Sequence, residues 1–363
     1  SRVSVPFGRQ SLEGYVIGLS ETTDVPKDKL KKISGVIDDR PIISDEFLGL
    51  CDHMTERFHL RKIDVFRLFL PTKLRGGRIK ALEKNFLSVS PEYAETDPNL
   101  FIKKSAHSQL EVFEYLLDAK EAEQSYLNAN FSAAAVRNLV ARGVFSVRRQ
   151  RVMRTPYSGV VQKTTDVKLT DAQSAAVEAI MASDKPTLLF GVTGSGKTEV
   201  YLDCIKKTLA VGKTAIMLVP EISLTPQVMR IFRARFGDAV ALLHSGLSDG
   251  ERFDEWRRLL TGEARVAVGA RSAIFAPLTD LGLIVIDEEH DTSYVSESNP
   301  RYITRDVAFF RARCNGAKTV MGSATPSTES FYRAERGEYA LVRMPERINK
   351  RKMPEIEIVN MCD

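Results

Sequence analysis

The chain has 363 residues, of which 43% are apolar and 27% are charged. That composition is typical of a globular protein and excludes a disordered or collagen-like chain, and the length predicts two or three domains. The formal net charge of +5 is compatible with a polyanionic partner, although many proteins without such a partner have the same balance.

The N-terminal region combines short β-type segments with two helices. Residues 3–7 and 15–19 are apolar runs separated by glycines and polar residues, which predicts a hairpin in a small β-rich module. Helical periodicity follows over residues 45–58 and 62–70. A stretch rich in glycine and arginine then interrupts the pattern, so we expect a domain boundary near residue 71.

A second helical region precedes a basic strand-like segment. Residues 109–117 and 132–141 carry apolar side chains at helical spacing, and residues 144–153 alternate apolar with basic ones. This order resembles a winged helix over residues 101–160, with a basic β-ribbon that contacts DNA phosphates. The proposed contacts are Arg148, Arg149 and Arg151. The alternative is a small helical domain with a solvated basic hairpin, because basic runs are common on protein surfaces.

From residue 186 onward, apolar strand-like runs alternate with helical patterns. Such alternation predicts an α/β domain in which helices cover a parallel sheet. The runs lie at residues 188–190, 215–219, 239–243, 266–268, 283–286 and 319–321.

The first of these runs leads into a P-loop pattern, G-x-x-x-x-G-K-T, which a helical stretch follows. Glycines allow backbone N–H groups to approach phosphate oxygens, and the following helix directs its positive end at the same anion. Lys197 is expected to contact the β- and γ-phosphates of ATP, and the Thr198 hydroxyl to ligate Mg²⁺. The alternative is a chance glycine-rich loop. The proposed nucleotide contacts are Gly191, Thr193, Gly194, Ser195, Gly196, Lys197 and Thr198.

The run at residues 283–286 ends in four polar residues, Asp287-Glu288-Glu289-His290. Carboxylates at the carboxyl end of a buried parallel strand lie where open α/β sheets bind ligands. We therefore expect Asp287 to hold Mg²⁺ and Glu288 to polarise the attacking water, with Lys197 as the third catalytic residue. The alternative is an acidic turn after a strand.

Two further loops follow strand-like runs and should share an edge with the P-loop. Ser323, Ala324 and Thr325 supply two small hydroxyls that can bridge the nucleotide site to a neighbouring surface. Arg271 and Ser272 are expected to meet a phosphate backbone. Taken singly, each segment is more often a plain loop.

Taken in order, these motifs resemble superfamily two helicases and, more narrowly, the PriA family of replication-restart helicases. The narrower resemblance depends on residues 5–8, 244–248, 271–277 and 302–306, and it covers nearly the whole chain. It implies a RecA-like lobe preceded by a winged helix and a small β-rich DNA-binding domain. The implied boundaries are 1–71 for a domain that binds the 3′ end of DNA, 72–100 for a linker, 101–160 for the winged helix, 161–345 for the first ATPase lobe, and 346–363 for the start of a second lobe.

The resemblance also implies residue roles. Gly8 and Lys31 match positions that line the 3′-end pocket, and Gln173 matches the glutamine that reads the adenine edge. Glu289 and His290 would complete the nucleotide site. Contacts to single-stranded DNA by stacking and charge would come from Tyr294, Tyr302 and Arg305, with core packing of either tyrosine as an equal alternative.

The implied function is an ATP-dependent 3′-to-5′ DNA helicase, acting as a monomer at stalled forks with single-stranded DNA-binding protein and primosome proteins as partners. Two alternatives are a fork-recognising scaffold that uses ATP as a conformational ligand and a duplex DNA translocase, and residues 1–70 argue against the latter. The family's zinc-binding cysteine pairs, second lobe and arginine finger are absent from this chain. We therefore expect slow turnover by the isolated chain, because such an arginine contributes about 10³- to 10⁵-fold to the rate.

Other features of the sequence point to a cytoplasmic fragment. Apolar runs do not approach the ~18 residues of a membrane span, and the start has no charged-then-apolar leader, so we expect no membrane partner. The four cysteines include no C-x-x-C pair, which favours free thiols over disulfides or a zinc site. The chain starts without Met and stops just after an apolar segment at 356–359, which predicts a piece of a longer protein.

Overall fold

The structure is a computed structural model that describes residues 1–38, 40–71, 82–152, 154 and 167–348. Contacts divide the chain into two compact units, one formed by Ser1–Ile79 with Pro156–Asp363 and the other by Lys80–Thr155. Within the described residues, no helix has both the length and the apolar character needed to span a membrane.

The first unit begins with a β hairpin. Strands β1 (Arg2–Phe7) and β2 (Gln10–Tyr15) pair antiparallel, and β3 (Gly35–Val36) pairs with β1. The predicted hairpin is confirmed, but its second strand is not at residues 15–19. Phe7 pairs with Gln10, so the loop has only two residues, and Gly8 occupies it with φ 61°. A two-residue hairpin loop needs such a positive φ, and it sets the register in which β1 and β2 pair.

Two helices follow the hairpin. Helix α1 (Asp45–Phe58) has the predicted bounds, and the Ser44 side chain caps it by accepting a hydrogen bond from the Phe47 N–H. Helix α2 (Lys62–Phe66) ends before the predicted residue 70. The buried side chains of α1 recur every three or four residues, as expected for a helix that packs one face against a core. They are Phe47, Leu50, Cys51 and Met54.

The second unit packs helices against a small sheet. Its described sheet has the order β5-β4-β6 and is antiparallel. The core contains Leu87, Phe113 and Phe145, all at most 2% exposed. The elements are β4 (Glu83–Val89), α3 (Pro91–Ala94), α4 (His107–Ala119), β5 (Ala122–Glu123), α5 (Gln124–Asn130), α6 (Ala133–Ala141) and β6 (Phe145–Arg151).

Two predictions for this region were wrong. Residues 83–89 are not a linker, because β4 is the central strand of the sheet and pairs with β6 along its whole length. Residues 72–81 of the predicted linker lie outside the described residues. The expected ribbon at 144–153 is a single strand, whose main partner lies far upstream. A local alternation of side chains cannot reveal a partner at such sequence separation.

Two of the predicted DNA contacts on β6, Arg148 and Arg149, lie on opposite faces of the strand. Successive side chains of a strand point to opposite faces, so Arg148 and Arg149 point in opposite directions. Arg148 is also paired with Glu121 at 2.7 Å. Arg151 lies opposite Glu83 at the end of the strand, and its side chain is outside the described part of the chain. Contact of these arginines with DNA phosphates stays a prediction.

The remaining elements form an α/β lobe. They are α7 (Asp171–Ala182), β7 (Thr187–Gly191), α8 (Lys197–Ala210), β8 (Thr214–Leu218), α9 (Pro226–Phe236), β9 (Val240–Leu243), α10 (Asp249–Thr261), β10 (Val266–Gly269), β11 (Leu281–Asp287), α11 (Thr304–Asn315), β12 (Lys318–Ser323), α12 (Thr328–Glu335) and β13 (Ala340–Met344).

The lobe confirms the predicted parallel sheet. Its described strands are all parallel, in the order β13-β7-β12-β11-β8-β10-β9. Alternate residues of β11 enter two different cores, since Ile284 and Ile286 belong to one buried cluster and Leu283 and Val285 to the other. Burial on both faces explains why these strands are continuously apolar.

The strand order positions the candidate site. Strand β12 lies between β7 and β11, so the loops that follow these three strands emerge side by side at the carboxyl edge of the sheet. These loops carry the P-loop, the Ser323 loop and the acidic motif. Ligands of open parallel sheets bind at this edge.

Candidate functional site

The P-loop begins where β7 ends, at Gly191, and leads directly into α8. Gly194 and Gly196 have φ values of 84° and 81°, a left-handed conformation that favours glycine. Gly196 is the N-cap of α8, so the first turn of the helix directs its N–H groups and positive dipole toward the loop. This geometry suits an anion.

Lys197 holds its ammonium group over the loop. Its Nζ donates a hydrogen bond to the Gly191 carbonyl at 2.9 Å and lies 3.9 Å from the Glu288 carboxylate. Only 10% of the side chain is exposed. The structure therefore brings the P-loop lysine and the acidic motif together, as the sequence predicted.

Asp287 ends β11 as a nearly buried carboxylate. Its Oδ1 accepts a hydrogen bond from the Tyr201 hydroxyl at 3.0 Å. Burial first, and then the neighbouring Glu288, raise the pKa of Asp287. Since a divalent cation nearby would offset the cost of burying this negative charge, the residue suits a metal ligand.

The available protein oxygens suit Mg²⁺ rather than a metal ion that protein side chains alone coordinate. Among the described residues, no group of three or more His, Cys, Asp or Glu side chains is placed to hold a metal ion. Mg²⁺ usually keeps several waters and takes one or two protein oxygens together with substrate phosphates. Asp287 and Thr198 would provide those oxygens.

Glu288 lies at the turn immediately after β11. Its φ of 46° is unusual for a residue with a side chain and is a local strain of the kind that clusters at functional sites. The carboxylate is one-third exposed and lies 3.7 Å from His290 Nδ1 as well as near Lys197. It is the exposed carboxylate of the motif, which suits a residue that orients water.

His290 connects the acidic motif to the loop after β12. Its Nδ1 is 2.8 Å from the Ser323 hydroxyl, which also accepts a hydrogen bond from the Thr325 N–H at 2.9 Å. The structure thus brings the predicted coupling residues Ser323, Ala324 and Thr325 against the acidic motif.

The structure does not support the predicted role of Glu289 in nucleotide binding. Its side chain is only 2% exposed, and its carboxylate accepts hydrogen bonds from the Ser327 N–H at 2.6 Å and the Ser330 hydroxyl at 2.8 Å. Ser327 is the N-cap of α12. Because these donors occupy the carboxylate, Glu289 positions α12 rather than facing the P-loop.

Three predicted DNA contacts are engaged inside the protein. Tyr294 and Tyr302 are each 4% exposed, so in this structure neither can stack on a base. The Tyr294 hydroxyl donates to the Asp287 carbonyl at 2.8 Å. Arg305 pairs with Glu329 at 2.6 Å and donates to Ser330 at 3.1 Å. The structure shows core packing of both tyrosines, which was the alternative prediction. Arg305 contacts α12 and stabilises its position.

Arg271 and Ser272 line a cavity of about 790 Å³. The Arg271 guanidinium donates to the Val295 carbonyl at 2.5 Å and lies 5.7 Å from the centroid of the Tyr302 ring. The lining of the cavity also contains Arg67 and Arg252 together with the acidic Glu221 and Glu297. A cavity lined by three arginines is compatible with contact to a phosphate backbone.

The other predicted residues fall in two places. Gln173 lies beside the P-loop, with its Nε2 3.4 Å from the Gly196 carbonyl and its Oε1 accepting from the Thr170 N–H at 2.9 Å. Gly8 and Lys31 lie in the N-terminal β module, exposed to solvent.

Sequence reasoning missed two residues of this site. Tyr201, which orients Asp287, lies four residues after Lys197 on α8, and that spacing was a usable signal because it puts both on one helix face. Ser330, which binds Glu289, had no local signal, since the two residues meet only in the fold.

Two family profiles and several known proteins match the sequence of this chain. The profile of the DEAD/DEAH box helicase family matches residues 170–333. The profile of the PriA 3′ DNA-binding domain matches residues 1–71. The replication restart protein PriA of Bacillus subtilis is 35% identical over 430 aligned residues, which cover 99% of this chain and 53% of the relative. The chain belongs to the PriA family.

Other members of the family also match this chain over only part of their own length. PriA of Haemophilus influenzae is 33% identical over 93% of this chain and 47% of its own length. PriA of Treponema pallidum is 43% identical over 64% of this chain and 36% of its own length. The chain spans about half the length of the first two relatives it matches.

Proposed function

We propose that this chain carries the DNA-binding region and first ATPase lobe of an ATP-dependent 3′-to-5′ DNA helicase, which acts in the cytoplasm at stalled forks during primosome assembly and replication restart. The observation that carries the proposal is the juxtaposition of Lys197, held over the P-loop, with the Asp287-Glu288 pair. Relatives named replication restart proteins supply the process.

The residues divide the work on ATP. P-loop amides and the Lys197 ammonium would hold the phosphate chain, and Gln173, which lies beside the loop, would read the adenine edge. Thr198 and Asp287 would hold Mg²⁺, which offsets the charge of the triphosphate when bound. Glu288, exposed beside Lys197, orients the attacking water.

Coupling to DNA would run through the loop after β12. His290 reaches Ser323, and Glu289 holds the start of α12, so a change at the acidic motif is passed to two neighbouring segments. Arg271 and Ser272, which line the cavity described above, would contact single-stranded DNA. Gly8 and Lys31 would bind the 3′ end. We also propose that the complete protein has primosome proteins and single-stranded DNA-binding protein as partners. It would also bind the zinc of the complete family members.

Replacing Lys197 by Ala in the complete protein tests the motor. We expect DNA unwinding to fall at least about 100-fold, because a charged group that contacts the transferring phosphate is lost, while fork binding stays within about twofold. Strand separation and fork affinity are measured in parallel. Lys207→Ala, at the other end of α8, is the control. Unwinding that survives Lys197→Ala would favour the scaffold that uses ATP only as a conformational ligand.

The second unit is proposed to bind DNA as a winged helix. Because each phosphate neutralised by a cation releases counterions, Arg149→Ala should reduce the slope of log affinity against log salt by about one. Arg148→Ala should change it less, since Glu121 already pairs with that guanidinium. Fork affinity is measured from low to moderate salt, with Arg137→Ala on α6 as control. An unchanged slope in the Arg148→Ala, Arg149→Ala, Arg151→Ala triple variant would make β6 a solvated surface.

A further inference from the structure

The segment that follows β13 runs along the P-loop. The Val192 N–H donates to the Met344 carbonyl at 3.2 Å, and the Ile348 N–H donates to the Gly194 carbonyl at 3.1 Å. Residues 345–348 are therefore tied by backbone hydrogen bonds to both sides of the loop. No motif in the sequence pointed to this segment.

Two side chains of the segment lie against P-loop glycines. A Cβ atom placed on Gly194 would be 3.9 Å from Arg347 Cγ and 4.0 Å from Arg347 Cδ. A Cβ atom placed on Gly196 would collide with both Ile348 and the Gln173 amide. The stem of Arg347 thus lies against the loop at Gly194, and the next residue, Ile348, lies beside the Gln173 amide at Gly196.

Two buried donors at this place have no hydrogen-bond partner among the described residues. One is the Nε of Arg347 and the other is the hydroxyl of Ser195, a residue only 2% exposed. Buried donors are nearly always paired, so two unpaired donors beside a proposed phosphate site are compatible with a ligand that supplies the acceptor. Phosphate oxygens are strong acceptors for a guanidinium.

We propose that Arg347 binds the phosphate chain of the nucleotide, as a contribution to the site from beyond the last strand of the sheet. The proposal rests on the nucleotide-binding function above and adds a cation that the P-loop and acidic motifs do not contain. Ile348 packs beside it and keeps the segment seated on Gly196. The site is then built from both ends of the lobe, since Gln173 precedes β7 and Arg347 follows β13.

The opposite role is a plug, in which the segment occupies the cradle and hinders nucleotide entry. The two roles differ in sign. Removing a binding cation weakens nucleotide affinity, whereas removing part of a plug strengthens it. A charge-assisted hydrogen bond to phosphate corresponds to about a 10- to 100-fold change in affinity.

The test is a titration of the complete protein with a fluorescent ADP analogue in the presence of Mg²⁺. Arg347→Ala and Arg347→Met should both weaken binding about 10-fold or more, because Met keeps an aliphatic stem but lacks the charge. Arg347→Lys should recover part of the affinity. Arg343→Ala, which changes an exposed arginine of β13, is the control.

The outcomes separate the two proposals. If the unmodified protein does not bind the analogue, the proposed nucleotide function fails. If it binds and Arg347→Ala is unchanged or tighter, or Arg347→Met retains full affinity, the role of Arg347 is overturned. Fork affinity and the melting temperature of each variant establish that it is folded.

Discussion

Changing Asp287 to Asn is expected to lower ATP turnover by the complete protein about 1,000-fold, while ADP affinity in the absence of Mg²⁺ stays within a few fold. The carboxylate is nearly buried at the end of β11 and interacts electrostatically with Lys197, and Asn cannot neutralise a metal. A thousandfold loss corresponds to about 4 kcal/mol of transition-state stabilisation, the scale of a metal or oxyanion contact. Phosphate release under saturating DNA is the measurement.

Two further variants distinguish the loss of a metal ligand from a change in the geometry of the site. Asp291→Asn changes a carboxylate that only caps its own loop, by accepting from the Ser293 N–H at 2.8 Å, and should leave turnover nearly unchanged. Tyr201→Phe removes the hydroxyl that orients Asp287 and should cost turnover much less than Asp287→Asn. If Asp287→Asn retained normal turnover at normal Mg²⁺ concentrations, Asp287 would not be the metal ligand and the proposed division of roles would fail.

The site motifs were predictable because each is a local pattern with a fixed position on a strand or helix. The P-loop requires a strand before it and a helix after it, and β7 and α8 supply them. The acidic motif ends the apolar run of β11 for the same reason. That the two meet follows from the parallel sheet, whose carboxyl edge collects its loops.

Contacts between distant segments could not be predicted in this way. In the sequence, Tyr294 and Tyr302 come shortly after the acidic motif, where exposed aromatic residues could stack on DNA. The fold buries both side chains. Nothing local distinguishes an aromatic residue that stacks on DNA from one that fills the core. Strand β4 was missed for a related reason, since its pairing with β6 joins residues separated by four helices and a strand.

Arg311 is a further residue without a sequence signal, although it joins the N-terminal region to the lobe. It is fully buried, and its Nε lies 2.6 Å from the Glu46 carboxylate of α1. Its Nη1 donates to the carbonyls of Ile274 and Ala276 at 2.7 and 2.9 Å. Its guanidinium also lies 4.9 Å from the centroid of the Phe47 ring.

These contacts connect Arg311 to the segment that is proposed to contact DNA. Ile274 belongs to the 3-10 helix Arg271–Phe275, which also carries Arg271 and Ser272. The guanidinium therefore ties α1, in the region that matches the 3′ DNA-binding domain, to the segment proposed to meet single-stranded DNA. Motion or loss of this tie would disturb both.

Arg311→Ala is expected to destabilise this chain by about 3–5 kcal/mol. Removing one partner of a buried ion pair leaves the other charge and its acceptors without compensation, and here Glu46 and two carbonyls lose their donor. Glu46→Gln should cost less, because an amide still accepts a hydrogen bond from the guanidinium. Arg313→Ala, an exposed residue on the same helix, is the matched control.

The chain contains its own probe for this measurement. Its single tryptophan, Trp256, is 5% exposed, and its indole N–H donates to the Phe69 carbonyl at 3.3 Å, at the junction between the N-terminal region and the lobe. Urea unfolding followed by tryptophan fluorescence should move to lower urea for Arg311→Ala and not for Arg313→Ala. If both variants unfold at the same urea concentration as the unmodified chain, the buried pair does not hold the N-terminal region to the lobe. The two regions would then be joined by apolar packing and by the other polar contacts between them, such as the Trp256–Phe69 hydrogen bond.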